Sequence, residues 1–201
     1  MSEPTSRMMD DDSIRHVPHA LAAIQSNTAA IGFQLASEPK TGSLLRALAA
    51  SKPGGRFLEL GTGTGVGTAW LLAGMDEHSR LVSVDTDPEV QNVAKRSLGQ
   101  NTRVTFHLGD AAAFLESTTE RFDLIYADAW PGKFTHLDRA LSLLNRGGIY
   151  FIDDLLPQSN WPEGHAPRVP ALIEDLEGRS GFVATKMAWA SGLMILVRTD
   201  G

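Results

Sequence analysis

From residue 56 onward, short apolar runs alternate with amphipathic stretches of helical length, and this alternation constrains the possible folds more than any other feature of the chain. The apolar runs are RFLEL, LVSVD, VTFHL, FDLIYAD and GIYFIDD. The stretches between them are GTAWLLAGMDE, PEVQNVAKRSL, AAAFLEST and KFTHLDRALSLL. Strands that alternate with helices in this way predict a parallel sheet with helices on both of its faces.

The last part of the chain departs from this alternation. After one more helical stretch, VPALIEDLEGR, the apolar runs FVATKMAW and LMILVRT are separated only by Ala190, Ser191 and Gly192. A crossover helix does not fit between them, so they predict an antiparallel hairpin. The predicted fold class is therefore α/β, with a Rossmann-like, seven-stranded, mostly parallel sheet that has helices on both faces and ends in a C-terminal antiparallel hairpin.

Two further helical patterns, HALAAIQSNTAAIGFQLA and EPKTGSLLRALAAS, come before the alternation and predict N-terminal helices. A length of 201 residues suits one α/β domain. The first residues, MSEPTSRMMDDDS, are acidic and polar, which is the opposite of the order in a signal peptide. We therefore expect a disordered acidic tail over residues 1–15 and a single domain over 16–201, with N-terminal helices within 18–51 and the core over 55–201.

Composition excludes several classes of partner and chemistry. The net charge is −6 and no stripe of basic residues occurs, which argues against a nucleic-acid partner. The absence of cysteine excludes disulfides, thiolate metal sites and thiol catalysis. No apolar run approaches the length that spans a bilayer, so no membrane partner is predicted. These features favour a cytoplasmic enzyme.

The segment RFLELGTGTGVG places glycines at every second position directly after an apolar run. A dinucleotide fingerprint requires Gly-x-Gly-x-x-Gly or Ala, but its last position is Val66 when counted from Gly61 and Thr68 when counted from Gly63. No Gly-Lys-Ser or Gly-Lys-Thr follows, so a phosphate-binding P-loop is also excluded. The pattern acid-x-Gly-x-Gly-x-Gly does fit, and it resembles the first motif of class I S-adenosylmethionine-dependent methyltransferases. A turn whose glycines serve packing alone is the alternative.

This resemblance implies that the loop and its neighbours bind S-adenosyl-L-methionine. The family's loop carries a hydroxyl residue that binds the methionine carboxylate, and its position is Gly67 here, which leaves Thr64 or Thr68 as substitutes. The residues of this segment that we predict to contact the cofactor are Glu59, Gly61, Thr62, Gly63, Thr64, Gly65 and Thr68.

Acidic residues follow the next two predicted strands. Asp85 lies about twenty residues beyond the glycine loop, where a carboxylate can accept hydrogen bonds from both ribose hydroxyls, with Thr86 beside it. Asp87, before Pro88, is predicted to cap the following helix. By resemblance, Asp110 meets the adenine amino group beside Ala111. Helix capping by Asp110 is an equal alternative.

Two longer segments narrow the resemblance. LASEPKTGSLLRALAASKPGGRFLELGTGTG and FDLIYADAWPGKFTHLDRALSLLNRGGIYFIDD resemble the catechol and caffeoyl-CoA type of O-methyltransferase, and the likeness covers about residues 35 to 200. It implies a small-molecule methyl acceptor. A homodimer is one assembly that we consider for this chain. Trp130 stands where an aromatic residue covers the adenine in similar enzymes.

In that family, acids at the ends of the fourth and fifth strands hold a divalent cation. The matching residues here are Asp128, Asp153 and Asp154, the last of which replaces an Asn. Carboxylates suit Mg²⁺, and such an ion can lower the pKa of a bound hydroxyl. The resemblance therefore predicts a divalent-cation cofactor. The alternative is that Asp128 orients the methionyl amino group while Asp153 or Asp154 acts as a base or a helix cap.

The general base is not assigned by the pattern. The family's catalytic lysine follows the strand-four acid as Asp-x-x-Lys, whereas here Asp128 is followed by Ala-Trp-Pro-Gly before Lys133. The predicted catalytic residues are therefore Asp128 together with Lys133, His136 and His165 as alternative bases. The proline-rich stretch 155–170, which follows the acidic pair, is predicted to be a lid or a substrate wall, the alternative being a surface connection.

The predicted function is transfer of a methyl group from S-adenosylmethionine to an oxygen of a small molecule. Two other classes stay open. A NAD-dependent oxidoreductase would share the sheet but requires the dinucleotide spacing that is broken here. A non-catalytic S-adenosylmethionine-binding module would retain Glu59 and Asp85 but has no use for three acids at two strand ends. Binding of S-adenosylhomocysteine, NAD and NADP in parallel separates these classes.

Overall fold

A computed structural model describes residues 11–200, and the apolar runs of the sequence form its seven strands. The first five strands are parallel and the last two form an antiparallel hairpin. Their bounds are β1 Arg56–Leu60, β2 Arg80–Asp85, β3 Val104–Leu108, β4 Phe122–Ala127, β5 Leu144–Ile152, β6 Phe182–Met187 and β7 Leu193–Arg198. The predicted fold class is confirmed.

The strands form one sheet in the order β3-β2-β1-β4-β5-β7-β6. The chain runs outward from β1 to β3 on one side and then from β4 to β5 on the other, so the direction of winding reverses between β1 and β4. Ligands of sheets wound in this way bind beyond the carboxyl ends of the strands at such a reversal. The topology therefore places the candidate site after Leu60 and Ala127.

Helices cover both faces of the sheet. They are α1 Leu21–Ala30, α2 Pro39–Ala50, α3 Val66–Gly74, α4 Pro88–Leu98, α5 Ala111–Ser117, α6 Leu137–Ser142 and α7 Val169–Gly178. Helices α1 to α4 share one buried cluster with the sheet, and α5 to α7 share the other. Leu124 belongs to the first cluster and its neighbour Ile125 to the second, because successive side chains of a strand point to opposite faces.

Helix α1 ends at Ala30, six residues before the end of its predicted pattern, and Gly32 follows it with φ +67°. Two elements of the alternating part of the chain also differ from the sequence prediction. Helix α6 begins only at Leu137, because residues 131–135 form a tight turn in which Gly132 has φ +92° and Pro131 bridges to Thr135. Strand β5 begins at Leu144, ahead of the predicted run, and an irregularity in its pairing with β4 accommodates the intervening residues. Both differences arise from turn geometry that apolar periodicity does not report.

The predicted N-terminal tail lies largely outside the described residues, since residues 1–10 are not among them. The remainder of it contacts the domain. Asp11 accepts a hydrogen bond of 2.6 Å from the indole of Trp189, and Lys40 pairs with Asp11 at 3.2 Å and with Asp12 at 2.8 Å. The boundary between tail and domain stays a prediction. Within residues 11–200, no helix has both the length and the apolar composition needed to cross a membrane.

Candidate active site

The glycine loop and the end of β4 meet at the reversal point of the sheet. The backbone amide of Asp128 donates a 2.9 Å hydrogen bond to the carbonyl of Leu60. A Cβ atom added to Gly61, which has φ +101°, would lie 2.8 Å from the Asp128 carbonyl oxygen. Glycine is therefore required at position 61 both for its backbone conformation and for the close approach of the two strand ends.

The loop is held against β2 by its own backbone. The amides of Gly61 and Thr62 both donate to the carbonyl of Val84, at 2.9 and 3.1 Å. At the other end of the loop, Gly65 has φ +92° and begins α3, and a Cβ atom there would lie 2.6 Å from the Cβ of Ala94 in α4. The glycines at both ends are thus explained by contacts within the protein.

Glu59, the acid before the loop, is fully buried beneath it. One of its carboxyl oxygens accepts hydrogen bonds of 2.5 Å from the hydroxyls of Thr68 and Ser83, and the other has no hydrogen-bond partner within residues 11–200. Burial raises the pKa of Glu59 to about 8, against the opposing effect of these two hydrogen bonds. At neutral pH the group is therefore mostly protonated.

Thr62, Thr64 and Thr68 of the loop are buried, and their hydroxyls contact other protein groups. Thr62 lies 2.7 Å from the Ser83 hydroxyl, Thr64 lies 2.8 Å from the Thr28 hydroxyl, and Thr68 donates to Glu59. Because both Thr64 and Thr68 are engaged in this way, the geometry does not favour either one as the hydroxyl ligand of the methionine carboxylate. Their predicted role in cofactor binding stays a prediction.

Asp85 stands at the end of β2 with its carboxylate already oriented. One oxygen accepts a 2.7 Å hydrogen bond from the amide of Gly63, and the other accepts a 2.9 Å bond from the amide of Asp87. Each carboxylate oxygen can accept further bonds on its remaining lone pairs. The neighbouring Thr86 is exposed. The loop after β1 and the end of β2 are thus joined by a side chain that can still bind a ligand.

Two other strand-end acids cap helices. Asp87 accepts hydrogen bonds from the amides of Glu89 and Val90, which confirms the predicted N-cap of α4. Asp110 accepts a 2.9 Å bond from the amide of Ala112 at the start of α5. This contact is the capping alternative considered for Asp110, while its meeting with an adenine group beside Ala111 stays a prediction.

The acids after β4 and β5 surround a buried tyrosine. The hydroxyl of Tyr126 donates to one carboxylate oxygen of Asp153 at 3.2 Å and lies 3.1 Å from the hydroxyl of Ser37. The other oxygen of Asp153 accepts from the hydroxyl of Ser191 and, at 2.8 Å, from the amide of Asp154. Both oxygens of Asp153 are therefore occupied by donors of the protein.

Burial dominates the electrostatics of these acids. It raises the pKa of Asp128 well above its usual value and that of Asp153 to about 6, and the neighbouring carboxylates add to both shifts. The positive charge of Lys133 opposes both shifts. Lys133 is itself only 2% exposed. The tight turn after β4 thus places a buried lysine beside the acidic cluster.

Of the two histidines predicted as alternative bases, only His165 lies beside the acids. It is buried, and its Nε2 atom is 3.1 Å from the carbonyl oxygen of Asp154. Its ring stacks on Trp161 with centroids 4.4 Å apart and meets Phe134 edge-on at 4.9 Å. His136 instead is exposed on the surface, with Nε2 3.9 Å from Glu116.

A pocket opens over the acidic cluster. Its volume is about 140 Å³, enough for a small group or several waters. The loop 155–170 forms one wall, as expected for a lid or a substrate wall, and the segment before α2 forms another. Its lining includes Leu35, Ser37, Asp128, Trp130, Lys133, Asp153, Asp154, Asn160, Trp161 and His165.

The geometry does not fit the predicted divalent cation. Within residues 11–200, no group of three or more His, Asp or Glu side chains is arranged to hold a metal ion. Asp153 already accepts three hydrogen bonds from the protein, so a cation at this carboxylate would compete with the donors that hold it. Asp128, Asp153 and Asp154 therefore lie close together as predicted but do not form a set of metal ligands.

Comparison with known proteins identifies the family. Residues 58–155 match the family described as methyltransferase domain. A protein of Mycolicibacterium vanbaalenii, whose name assigns it to the O-methyltransferases, is 32% identical over an alignment of 163 positions that covers 75% of this chain and 72% of the relative. A Mycobacteroides abscessus protein of the same name is 31% identical over an alignment of 173 positions that covers 80% of each chain. The chain belongs to the S-adenosylmethionine-dependent O-methyltransferases.

The fold comparison agrees with this assignment. The O-methyltransferase TomG from Streptomyces achromogenes, whose crystal structure contains S-adenosylmethionine, superposes with a TM-score of 0.80. The two chains are 24% identical, and the match covers 94% of each. The methyltransferase therefore shares the fold of this protein over 94% of both chains.

Three residues of the methyltransferase site were not identified from the sequence. They are Ser37 before α2, Tyr126 in β4 and Ser191 in the turn between β6 and β7. Tyr126 could have been found, because it lies two residues before Asp128 and alternation along a strand places such residues on the same side. Ser37 and Ser191 carry no such signal, since they reach Asp153 and Tyr126 only through tertiary packing.

Proposed function

We propose that this methyltransferase transfers the methyl group of S-adenosylmethionine to an oxygen of a small molecule bound in the pocket. One observation supports this most strongly. Asp128 lines the acceptor pocket, while its backbone carbonyl lies against Gly61 of the cofactor loop. A cofactor at the loop and an acceptor in the pocket would thus lie on either side of a single residue.

The cofactor would be bound through the end of β2 and the glycine loop. Asp85 has the oriented carboxylate that two ribose hydroxyls require, and Gly63 presents no side chain beside it. Trp130 is half-buried and lines the pocket, where its indole would contact the adenine or the acceptor, and Arg168 lies 4.9 Å from the centre of its ring. We retain Asp128 as the group that orients the methionyl amino group.

The reaction requires alignment of the acceptor oxygen and removal of its proton, because the positive sulfonium is already a good leaving group. His165 is the base that the geometry favours. A carbonyl oxygen only accepts hydrogen bonds, so Nε2 must donate to Asp154 and carry the proton. Burial lowers the pKa of His165, which favours the neutral ring and leaves Nδ1 with a lone pair for the acceptor proton.

Two substitutions test the assignment of the base. His165→Gln should reduce kcat by about 10²- to 10⁴-fold, the usual contribution of a general base, while leaving the affinity for S-adenosylhomocysteine unchanged. His136→Gln, at the other predicted histidine, should leave kcat unchanged because its ring lies outside the pocket. Labelled S-adenosylmethionine with a panel of hydroxylated acceptors measures the rate, and calorimetry measures the affinity. Full activity of His165→Gln would exclude it as the base.

The pocket also suggests a class of acceptor. Leu35, Trp130, Trp161 and Pro162 provide apolar walls, and the same pocket is lined by charged groups that include Asp128, Lys133 and Asp153. We therefore propose an acceptor with a flat apolar body and a hydroxyl group at one end. The predicted homodimer and the cytoplasmic location stay predictions.

A further inference from the structure

We propose that the methyltransferase works without a divalent cation and that the ammonium of Lys133 takes the cation's electrostatic role toward the acceptor oxygen. The inference rests on the proposed methyl transfer in this pocket. It starts from the failure of three acids, Asp128, Asp153 and Asp154, to form a set of metal ligands within the described residues.

Asp153 is the acid least able to bind an ion. Tyr126 and Ser191 donate hydrogen bonds to opposite oxygens of its carboxylate, and the amide of Asp154 adds a third bond at 2.8 Å. A cation entering here would have to compete with donors that the fold holds in place. Ser191 is 3% exposed, and Tyr126 is fully buried in β4 with its ring packed edge-on against Phe151 at 5.5 Å. The donors of Asp153 are therefore built into the core.

Lys133 supplies the positive charge that a cluster of carboxylates requires. It is 2% exposed and lines the same pocket as the three acids. Its charge acts on Asp128 and Asp153, as the opposing effect on their pKa values shows. Among residues 11–200, no carboxylate oxygen lies within 4.0 Å of its ammonium, so Lys133 is not committed to a direct ion pair. An ammonium group that belongs to a residue of the pocket wall and has no direct ion pair is available to an oxygen of a ligand.

The hydrogen bonds to Asp153 and the ammonium of Lys133 together take over the function of a cation. A divalent ion would stabilise the acceptor oxygen as it loses its proton. An ammonium group in a site that excludes water can stabilise the same developing negative charge. The proton leaves to Nδ1 of His165, the oxygen attacks the methyl carbon, and the methyl–sulfur bond breaks to leave S-adenosylhomocysteine. Charge and atoms balance in this step with no further reactant.

The first experiment measures cation binding directly. The full chain is dialysed against a chelator and titrated calorimetrically with Mg²⁺ and with Ca²⁺, in the presence of S-adenosylhomocysteine. We expect no saturable binding and no change of methyl-transfer rate on adding EDTA. Saturable binding that Asp153→Asn removes, or activity that EDTA abolishes and Mg²⁺ restores, would overturn the proposal. Because cation binding is measured without turnover, this outcome is independent of whether an acceptor is found.

The second experiment tests Lys133. In chelator, Lys133→Gln should reduce kcat/KM at least tenfold with unchanged affinity for S-adenosylhomocysteine, and Lys133→Arg should recover part of the rate because it keeps the charge. Lys186→Gln, at an exposed lysine paired with Glu177 on the edge strand, is the matched control and should retain the wild-type rate. Wild-type turnover in Lys133→Gln would overturn the role of Lys133. If Lys133→Gln does not fold, Lys133→Arg is compared with Lys133→Met. An equal loss of rate in these two variants would overturn the role of Lys133.

Discussion

Single buried carboxyl groups carry much of the electrostatic character of this methyltransferase. Glu59 is the clearest case, because it is fully buried and only one of its oxygens has hydrogen-bond partners within the described residues. Removal of a carboxylate from water favours its neutral form. The folded state therefore holds a proton on Glu59 that the unfolded chain releases above the usual pKa of glutamate.

This difference predicts how stability depends on pH. Because the folded-state pKa of Glu59 is raised from 4.5 to about 8, folding should become less favourable as the pH rises between these values. Each pH unit in that window costs at most about 1.4 kcal/mol. Glu59→Gln, which cannot ionise, should show a shallower fall in the free energy of unfolding between pH 6 and 8. Denaturant unfolding at several pH values measures this dependence of the free energy of unfolding on pH.

The exposed Glu174 provides the control for this prediction. Glu174→Gln should keep the wild-type slope, since its side chain lies at the surface and not in the core. The residual slope in Glu59→Gln would come from Asp128 and Asp153, whose pKa values are also raised, opposed by His165, whose pKa is lowered. Identical slopes in wild type and Glu59→Gln would show that Glu59 is ionised in the folded protein.

At the scale of elements, the loop between β1 and α3 shows why the glycine spacing predicts more than cofactor binding. A chain of hydroxyls and amides runs from Gln91 in α4 through Thr62 and Ser83 to Glu59. Gly65 lets α4 pack directly against the start of α3. The loop therefore connects four elements, β1, β2, α3 and α4, through contacts within the protein.

Substitution at Gly65 separates packing from backbone strain. Gly65→Ala should lower the free energy of unfolding by about 1–2 kcal/mol, because alanine is strained in a left-handed conformation. Overpacking against Ala94 should lower it by roughly 1–3 kcal/mol more. Gly147→Ala is the matched control, because Gly147 has φ +73° with nothing within 4 Å of an added Cβ atom. Denaturant unfolding of both variants gives the difference. Equal losses of stability would refute the contact with α4.

Apolar periodicity predicts the bounds of some helices and strands correctly and those of others incorrectly. Strands β1 and β3 and helix α4 coincide with the predicted segments, because each has a regular pattern bounded by turn residues or a cap. Helix α6 is shorter than predicted because a tight turn that begins at Pro131 and Gly132 extends into the first residues of the predicted helix. That turn is what buries Lys133.

At the scale of the whole molecule, the order of strands assembles both halves of the site. The parallel pairing of β1 with β2 sets the glycine loop beside Asp85, and the pairing of β1 with β4 sets it beside Asp128. The antiparallel β7 lies next to β5, which brings the hairpin turn with Ser191 to Asp153. The site thus depends on strands that are distant in the chain.

The cofactor half of this assembly can be tested at Asp85. Asp85→Ala should weaken binding of S-adenosylhomocysteine at least tenfold, because a hydrogen bond to a charged group contributes about 1.5–3 kcal/mol. Asp87→Ala removes the cap of α4 and should cost about 1 kcal/mol of stability without changing that affinity. Calorimetry measures binding and denaturant unfolding measures stability. Unchanged affinity in Asp85→Ala would remove this residue from the site.

The sequence by itself determined the mostly parallel sheet, the terminal hairpin, the glycine loop and the acids at the strand ends. These features are local: periodicity, glycine spacing and the last residue of a strand are all read within one segment. Only the tertiary structure decided what the acids do. Tyr126, Ser191 and Lys133 reach Asp153 and Asp128 from separate elements, and whether a carboxylate binds a cation or a protein donor depends on which groups packing brings beside it.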